Sequence, residues 1–136
     1  MEFKKLNGKP KNVVLAPYII KWNDDSLSKF QWNTKQWIRP FWISDVCLEE
    51  FVIPGTRLRI DLMNVSKKIA IEVDGIQHNE YSEFLHKGSR LNLLAQMKRD
   101  EKKRQWCLLN SYNLVNIDPG DKLSVAFFKE KFNITL

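Results

Sequence analysis

Two short runs of the chain, RLRIDL at residues 57–62 and IAIEV at residues 69–73, decide the fold. In both runs apolar side chains alternate with other residues in the way that is typical of half-buried β-strands. A turn centred between Ser66 and Lys67 would join them as a hairpin and place Asp61 directly across from Glu72. Cross-strand partners have Cβ atoms about 4.5–5.5 Å apart, and like charges there destabilise a sheet unless a cation joins them. The two runs therefore predict a pair of strands and a site for one divalent metal ion.

Composition limits the class of protein. The chain has 136 residues, of which 43% are hydrophobic and 28% are charged, as expected of one soluble globular domain spanning residues 1–136. It has 22 Lys and Arg against 16 Asp and Glu, which gives a formal charge of +6 and suits a polyanionic partner, although many basic proteins bind none. Cys47 and Cys107 lack CxxC spacing, so we expect reduced packing thiols in a cytoplasmic protein. The absence of a signal-like start or a long apolar run predicts no membrane partner.

Periodicity and turn signals predict the order of elements. We expect strands at about 50–53, 57–62, 69–73 and 112–117, and helices at about 27–38, 89–110 and 124–132. Residues 1–11 read as a basic arm, residues 13–15 as a short edge strand stopped by Pro17, and Pro40 as the end or a kink of the first helix. The predicted fold class is α/β, with a central mixed sheet of about four strands that begins as an antiparallel meander and is flanked by helices.

Aromatic residues are concentrated around the first predicted helix. Two interpretations are open: the side chains form part of the core, or one or two of them stack on bases or wedge into a duplex. The residues concerned are Phe30, Trp32, Trp37, Phe41 and Trp42.

The acidic face of the two strands carries the chemistry. Hydrolysis of a phosphodiester needs a metal ion, and magnesium needs only one or two carboxylates besides water and substrate phosphate. Asp61 and Glu72 could supply these carboxylates, the Val73 carbonyl lies beside them, and Asp74 could bind or orient a water. His78 follows a glycine that lets the chain turn, so its imidazole could act as base or acid. The alternative is a solvated strand face and a structural histidine.

The long helix adds charge of both signs. At 100° per residue, Asp100 falls in one sector with Leu93, Met97 and Cys107, and Lys103 lies at its border. A carboxylate in an apolar stripe needs a partner or a metal ion. The helix also carries a basic run that suits phosphate contact or, equally, a solvated helix face, formed by Lys98, Arg99, Lys102, Lys103 and Arg104.

Together these residues resemble the PD-(D/E)XK nuclease superfamily. The motifs are Asp61, the run EVDGIQH at residues 72–78, DEKKRQWC at residues 100–107 and LVNI at residues 114–117. The pattern is similar to the branch of very-short-patch-repair endonucleases and small phage or bacterial nucleases, without a zinc cluster, and covers about residues 49–117. The resemblance implies a restriction-endonuclease-like core and location in the cytoplasm of a bacterium or a phage-infected cell.

The resemblance also implies roles for individual residues. Asp61, Glu72 and the Val73 carbonyl would bind Mg²⁺ or Mn²⁺, and no small-molecule cofactor is implied. Asp74 stands where the superfamily has lysine, and His78 is the candidate general acid or base. Asp100 and Lys103 would support the site, and a further ligand would come from Glu49, Glu50 or Gln31. The residues that would contact DNA are Arg57, Arg59, Gln77, Lys98, Arg99, Lys102 and Arg104.

The implied activity is that of a metal-dependent DNA endonuclease acting on double-stranded or branched DNA in processing, repair or recombination. One small site cuts one strand, so cutting both strands or a junction would require a homodimer. Two rival hypotheses remain open: a non-catalytic DNA- or RNA-binding module on a degenerate nuclease fold, and an accessory subunit that docks through its aromatic half.

Overall fold

The computed structural model describes residues 1–73 and 90–136. Within these ranges the chain is α/β, with a four-stranded mixed sheet, a separate two-stranded hairpin and flanking helices. The strands are β1 (Glu2–Lys4), β2 (Pro10–Asn12), β3 (Cys47–Val52), β4 (Arg59–Asn64), β5 (Ile69–Val73) and β6 (Asn113–Ile117), and the α-helices are α1 (Lys29–Trp42), α2 (Arg90–Leu109) and α3 (Val125–Phe132). The predicted site residues Asp74, Gln77 and His78 lie outside the described ranges.

The central sheet has the strand order β3-β4-β5-β6. The first three strands form an antiparallel meander, and β6 returns through α2 to lie parallel to β5. Leu62 pairs with Ile71 and Met63 with Ala70, which is the register expected from a turn centred between Ser66 and Lys67. The prediction of a mixed sheet with an antiparallel meander is therefore confirmed.

Each face of the sheet carries its own hydrophobic core. On one face, α1 and α3 cover Leu62 and Ile71 with Trp42 and Phe128, both fully buried. On the other face, Met63 and Ala70 contact an aromatic cluster that is defined by Phe3, Phe51, Trp106 and Tyr112. Successive residues of a strand point to opposite faces, which is why neighbours such as Leu62 and Met63 belong to different cores.

Three aromatic residues of α1, Phe30, Trp37 and Trp42, belong to the first core. Trp42 is fully buried, and Trp37 stacks on Phe128 with ring centroids 5.6 Å apart and planes 7° from parallel. The interpretation that Trp42 contacts bases is therefore wrong, because its side chain is fully buried in protein, whereas Trp37 is only half-buried.

Helix α1 differs from the prediction at both ends. The helix begins at Lys29 rather than at about residue 27, and the Ser28 hydroxyl caps it by accepting a hydrogen bond from the Gln31 amide at 3.1 Å. The helix continues through Pro40 to Trp42. A proline inside a helix removes one hydrogen bond and crowds the carbonyl four residues before it, but the buried side chains of Ile38 and Trp42 hold the last turn against the sheet.

The N-terminal segment forms a hairpin rather than a loose basic arm. Strands β1 and β2 pair antiparallel, and Phe3 is buried in the aromatic cluster. Asn110, just after α2, binds the backbone of β1 through two hydrogen bonds. Its Oδ1 accepts a hydrogen bond from the Lys4 amide at 2.8 Å, and its Nδ2 donates one to the Lys4 carbonyl at 3.1 Å. The expected edge strand at residues 13–15 is also wrong, because the pairing with β1 ends at Asn12 and a 3₁₀ turn follows at Ala16–Tyr18.

Cys47 and Cys107 are both buried and unbridged, as expected of packing thiols. Burial raises the pKa of each thiol to about 12, and a nearby carboxylate, Asp45 or Glu72, adds to the effect. Both thiols therefore stay protonated and unreactive at neutral pH. Separately, none of the helices within residues 1–73 and 90–136 has the length and apolar character needed to cross a membrane.

Candidate active site

Asp61 and Glu72 meet where the pairing between β4 and β5 ends. Leu62 and Ile71 form the last backbone pair of the β4–β5 ladder, and Asp61 and Glu72 occupy the next position. Here the carboxylates replace the backbone ladder: the Asp61 amide donates to Glu72 Oε2 at 3.2 Å, and the Val73 amide donates to Asp61 Oδ2 at 2.8 Å. The two carboxylates thus lie side by side, as the alternating pattern predicts.

Glu72 is a buried carboxylate with one cationic partner. Only 7% of the residue is exposed. Burial, and then the charge of Asp61, raise the pKa of Glu72, while Lys103 acts in the opposite direction. The Lys103 ammonium reaches from α2 to form an ion pair with Glu72 Oε1. The structure therefore brings Asp61, Glu72 and Lys103 together from three different elements.

Val73 takes part through its backbone. Its amide binds Asp61 on the β4 side, and the N–H and C=O of one strand residue point to the same side. The Val73 carbonyl is therefore directed towards β4, which is the orientation that a ligand role beside Asp61 requires.

The donor set at this point suits a hard divalent cation. Within residues 1–73 and 90–136 there is no group of three or more His, Cys, Asp or Glu side chains arranged to hold a metal ion. Magnesium, however, binds through one or two carboxylates and keeps its other positions for water and phosphate. Asp61 and Glu72 offer oxygen atoms only, and Glu72 already attracts a positive charge, the Lys103 ammonium. The residues present therefore fit Mg²⁺ or Mn²⁺ with the Val73 carbonyl as an additional ligand.

Among the three alternatives for a further ligand, Glu50 lies nearest in register. Glu49 pairs with Leu62 and Phe51 with Ile60, so Glu50 stands opposite Asp61 on the neighbouring strand. Glu50 has a φ of 54°, a conformation that is uncommon for a residue other than glycine. Burial and the nearby Asp61 raise the pKa of Glu50, whereas its hydrogen bond from Gln31 acts in the opposite direction. Glu50, Asp61 and Glu72 thus occupy equivalent positions on three adjacent strands.

Glu49 and Gln31 have structural roles next to the three acidic residues Glu50, Asp61 and Glu72. The Gln31 side-chain amide donates to Glu49 Oε2 and to Glu50 Oε1, at 2.9 Å in each case. Glu49 also accepts from Ser26 at 2.6 Å and from Lys35 at 3.1 Å. Glu49 is therefore fully engaged with protein donors, and Gln31 acts as the donor that positions Glu50.

Sequence reasoning missed Lys35. Its side chain is fully buried, and its ammonium contacts Glu49 and the carbonyls of Lys21 and Asp24. The available signal was helical spacing: Lys35 lies four residues after Gln31 and three before Ile38, in the buried stripe of α1. A lysine in such a stripe needs several acceptors, and the segment before α1 supplies two of them.

Asp100 makes its side-chain hydrogen bond within α2. It is exposed on α2, and its carboxylate accepts a hydrogen bond from Gln96 at 2.9 Å. The expected apolar stripe of α2 is wrong in its first turns, because Met97 is 56% exposed and the residues of α2 that are buried are Trp106 and Cys107. The helix contacts the sheet through its C-terminal turns, and Lys103 pairs with Glu72 of β5 from this half of the helix.

The predicted DNA-binding residues of the described ranges are exposed. Arg59 lies 4.0 Å from Glu50, and Arg104 is paired with Glu101 on its own helix. Arg99 donates to Gln96 at 2.6 Å. The remaining ones, all at the surface, are Arg57, Lys98 and Lys102.

Part of the chain is similar to two uncharacterized viral proteins. It is 40% identical over 63 residues to uncharacterized protein 094L of Frog virus 3 (isolate Goorha), a match that covers 46% of this chain and 41% of the relative. It is 33% identical over 72 residues to uncharacterized protein 033L of Invertebrate iridescent virus 3, which covers 53% of this chain and 37% of the relative. The chain thus matches about two fifths of the length of these relatives. No protein-family model and no solved structure matches the chain.

Proposed function

We propose that this chain is a divalent-metal-dependent DNA endonuclease that hydrolyses phosphodiester bonds. The observation that supports it best is the contact between Asp61 and Glu72 in strand register, with the Lys103 ammonium on Glu72. A buried carboxylate pair beside a lysine offers negative ligands for a metal ion and a positive charge for a phosphate within one small region. The resemblance to PD-(D/E)XK nucleases motivates the assignment, and a restriction-endonuclease-like core is part of the proposal.

Each residue has a stated role in this proposal. Asp61, Glu72 and the Val73 carbonyl hold Mg²⁺ or Mn²⁺, which stabilises charge on the phosphate and supplies hydroxide near neutral pH. Lys103 neutralises the phosphate where the superfamily lysine is replaced by Asp74. Asp74 orients water and His78 transfers a proton; both lie outside the described residues.

DNA is proposed as the substrate because of charge. The formal net charge is +6, and α2 carries Lys98, Arg99 and Lys102 at its surface on the same helix as Lys103. Contacts of this kind release counterions from the phosphate backbone, so binding should weaken steeply with salt. A homodimer is required only if both strands are cut. Cytoplasmic location in a host cell stays a prediction.

Cleavage of supercoiled plasmid in Mg²⁺ or Mn²⁺ tests the proposal. Asp61→Asn and Glu72→Gln should each lower the rate by at least about 100-fold, the scale on which single catalytic groups act. Glu130→Gln, an exposed acid on α3, is the matched control and should cleave at the wild-type rate. Thermal denaturation of each variant verifies folding. Cleavage that survives both site substitutions would refute the assignment.

A non-catalytic nucleic-acid-binding module is the second candidate. It is favoured by the Lys103–Glu72 ion pair, since this contact neutralises Glu72 without any metal ion. Salt-dependent DNA or RNA binding without cleavage, unchanged in the Asp61→Asn protein, would support this module over the nuclease. Co-purification with a larger protein, without nucleic-acid affinity, would support the accessory subunit instead.

A further inference from the structure

Lys103 occupies the position at which a metal ion would contact Glu72. Its ammonium lies directly on Glu72 Oε1, and the side chains of Lys103 and Glu72 are only 17% and 9% exposed. The other oxygen, Oε2, accepts the Asp61 amide at 3.2 Å. Both oxygens of the carboxylate therefore have a partner, and a divalent ion at Oε1 would be repelled by the ammonium that already lies there.

We propose that Lys103 is a displaceable cation that couples metal binding to DNA binding. The inference rests on the proposed function and specifies how its site is controlled. In the metal-free protein, Lys103 neutralises Glu72. A divalent ion bound to Asp61 and Glu72 repels the ammonium, and the lysine then turns outward to a phosphate.

The geometry of α2 gives the released side chain a place to go. Lysine carries its charge on a flexible four-carbon stem, so the ammonium can move several ångströms without a change of backbone. Arg99 lies one helical turn before Lys103 on the same side of the helix, and it is exposed. A phosphate held by Arg99 is therefore within reach of Lys103 once Glu72 has another partner.

This arrangement makes the two ligands reciprocal. A metal ion releases Lys103 for the phosphate, and a phosphate that captures Lys103 uncovers Glu72 for the metal ion. Each ligand must then raise the affinity for the other by the same factor, which is typically about 5- to 150-fold. A lysine that only supports the fold would give no such coupling.

The inference is tested by calorimetric titration of the full chain with Ca²⁺ or Mn²⁺. The titration is done once without DNA and once with a short DNA duplex, under conditions in which the duplex is not cleaved. Without DNA, Lys103→Met should bind the metal ion about tenfold more tightly than wild type, because the competing charge is gone. The duplex should raise the metal affinity of the wild type by a similar factor and that of Lys103→Met by much less. Lys103→Gln, which keeps a hydrogen-bond donor, serves if the methionine variant does not fold.

Lys122→Met, which removes the same charge from an exposed loop, is the control and should titrate like wild type. Metal affinity that is equal or weaker in both folded Lys103 variants, with wild type binding normally, would overturn this inference and leave the nuclease proposal intact. Absence of metal binding in wild type, with and without the duplex, would overturn the nuclease proposal and this inference with it.

Discussion

Replacement of Lys35 by methionine should lower the free energy of unfolding by about 3 kcal/mol. Methionine fills nearly the same volume, so the change removes the charge without creating a large cavity. The ammonium donates to Asp24 O at 2.7 Å and to Lys21 O and Glu49 Oε1 at 3.1 Å each, and no part of it is exposed.

The magnitude follows from what is left behind. Loss of one partner of a buried ion pair costs about 3–5 kcal/mol when the remaining charge has no other contact. Glu49 keeps its hydrogen bonds from Ser26 and Gln31, which places the expected cost at the lower end of that range. The two carbonyls each lose one buried partner, which is included in this figure.

Urea denaturation followed by tryptophan fluorescence measures the effect. With an m-value of about 1.5–2 kcal/mol/M, the midpoint should fall by about 1.5–2 M. Lys131→Met is the control, because its ion pair with Asp121 is 3.5 Å long and lies at the surface. Such a pair contributes about 0.5 kcal/mol. A midpoint for Lys35→Met within 0.3 M of wild type would refute the buried network.

Other predictions concern stability. Asn110→Ala should cost about 2 kcal/mol, since it releases both Lys4 contacts, and early proteolysis at the hairpin should accompany it; a wild-type melting temperature would contradict the two hydrogen bonds. Tyr112→Phe should leave the melting temperature unchanged or slightly higher, because the hydroxyl is buried without a hydrogen-bond partner among the described residues. A loss of stability above about 1 kcal/mol would show that the hydroxyl has a partner. A hydrogen bond from Asn64 and the nearby Lys67 lower the pKa of Asp45. The ionised Asp45 therefore stabilises the fold above pH 3.8, and this stabilisation is lost as the pH falls below that value. Asp45→Asn should therefore lower stability at pH 7 and converge with wild type in acid, whereas a constant difference across pH would contradict the ion pair with Lys67.

The acidic hairpin of β4 and β5 can be predicted from the sequence because the residues that define it are close together in the chain. Alternation fixes which side chains share a face, and a one-residue slip would bury the wrong set. The register that brings Asp61 beside Glu72 follows from this alternation together with the position of the turn. A pattern and its turn are both visible within about fifteen residues of sequence.

Long-range contacts explain what was missed. β1 and β2 have three residues each and are held by Asn110, which is 106 residues away from Lys4 in the chain. Lys35 depends on carbonyls whose positions only the folded segment before α1 defines. Helical periodicity also misplaced Asp100, since it assumes that a whole helix packs, whereas α2 buries only Trp106 and Cys107.

The aromatic cluster on the second face has a consequence for synthesis of the chain. It joins Phe3 to Phe51, Trp106 and Tyr112, so it cannot close until the ribosome has released nearly the whole of α2 and the residues that follow it. The meander β3-β4-β5 can pair much earlier, because its contacts are local. One face of the nascent sheet therefore stays uncovered while about forty further residues are made, which at about 5–20 residues per second lasts about 2–8 seconds. During that interval the Asp61–Glu72 pair exists without Lys103.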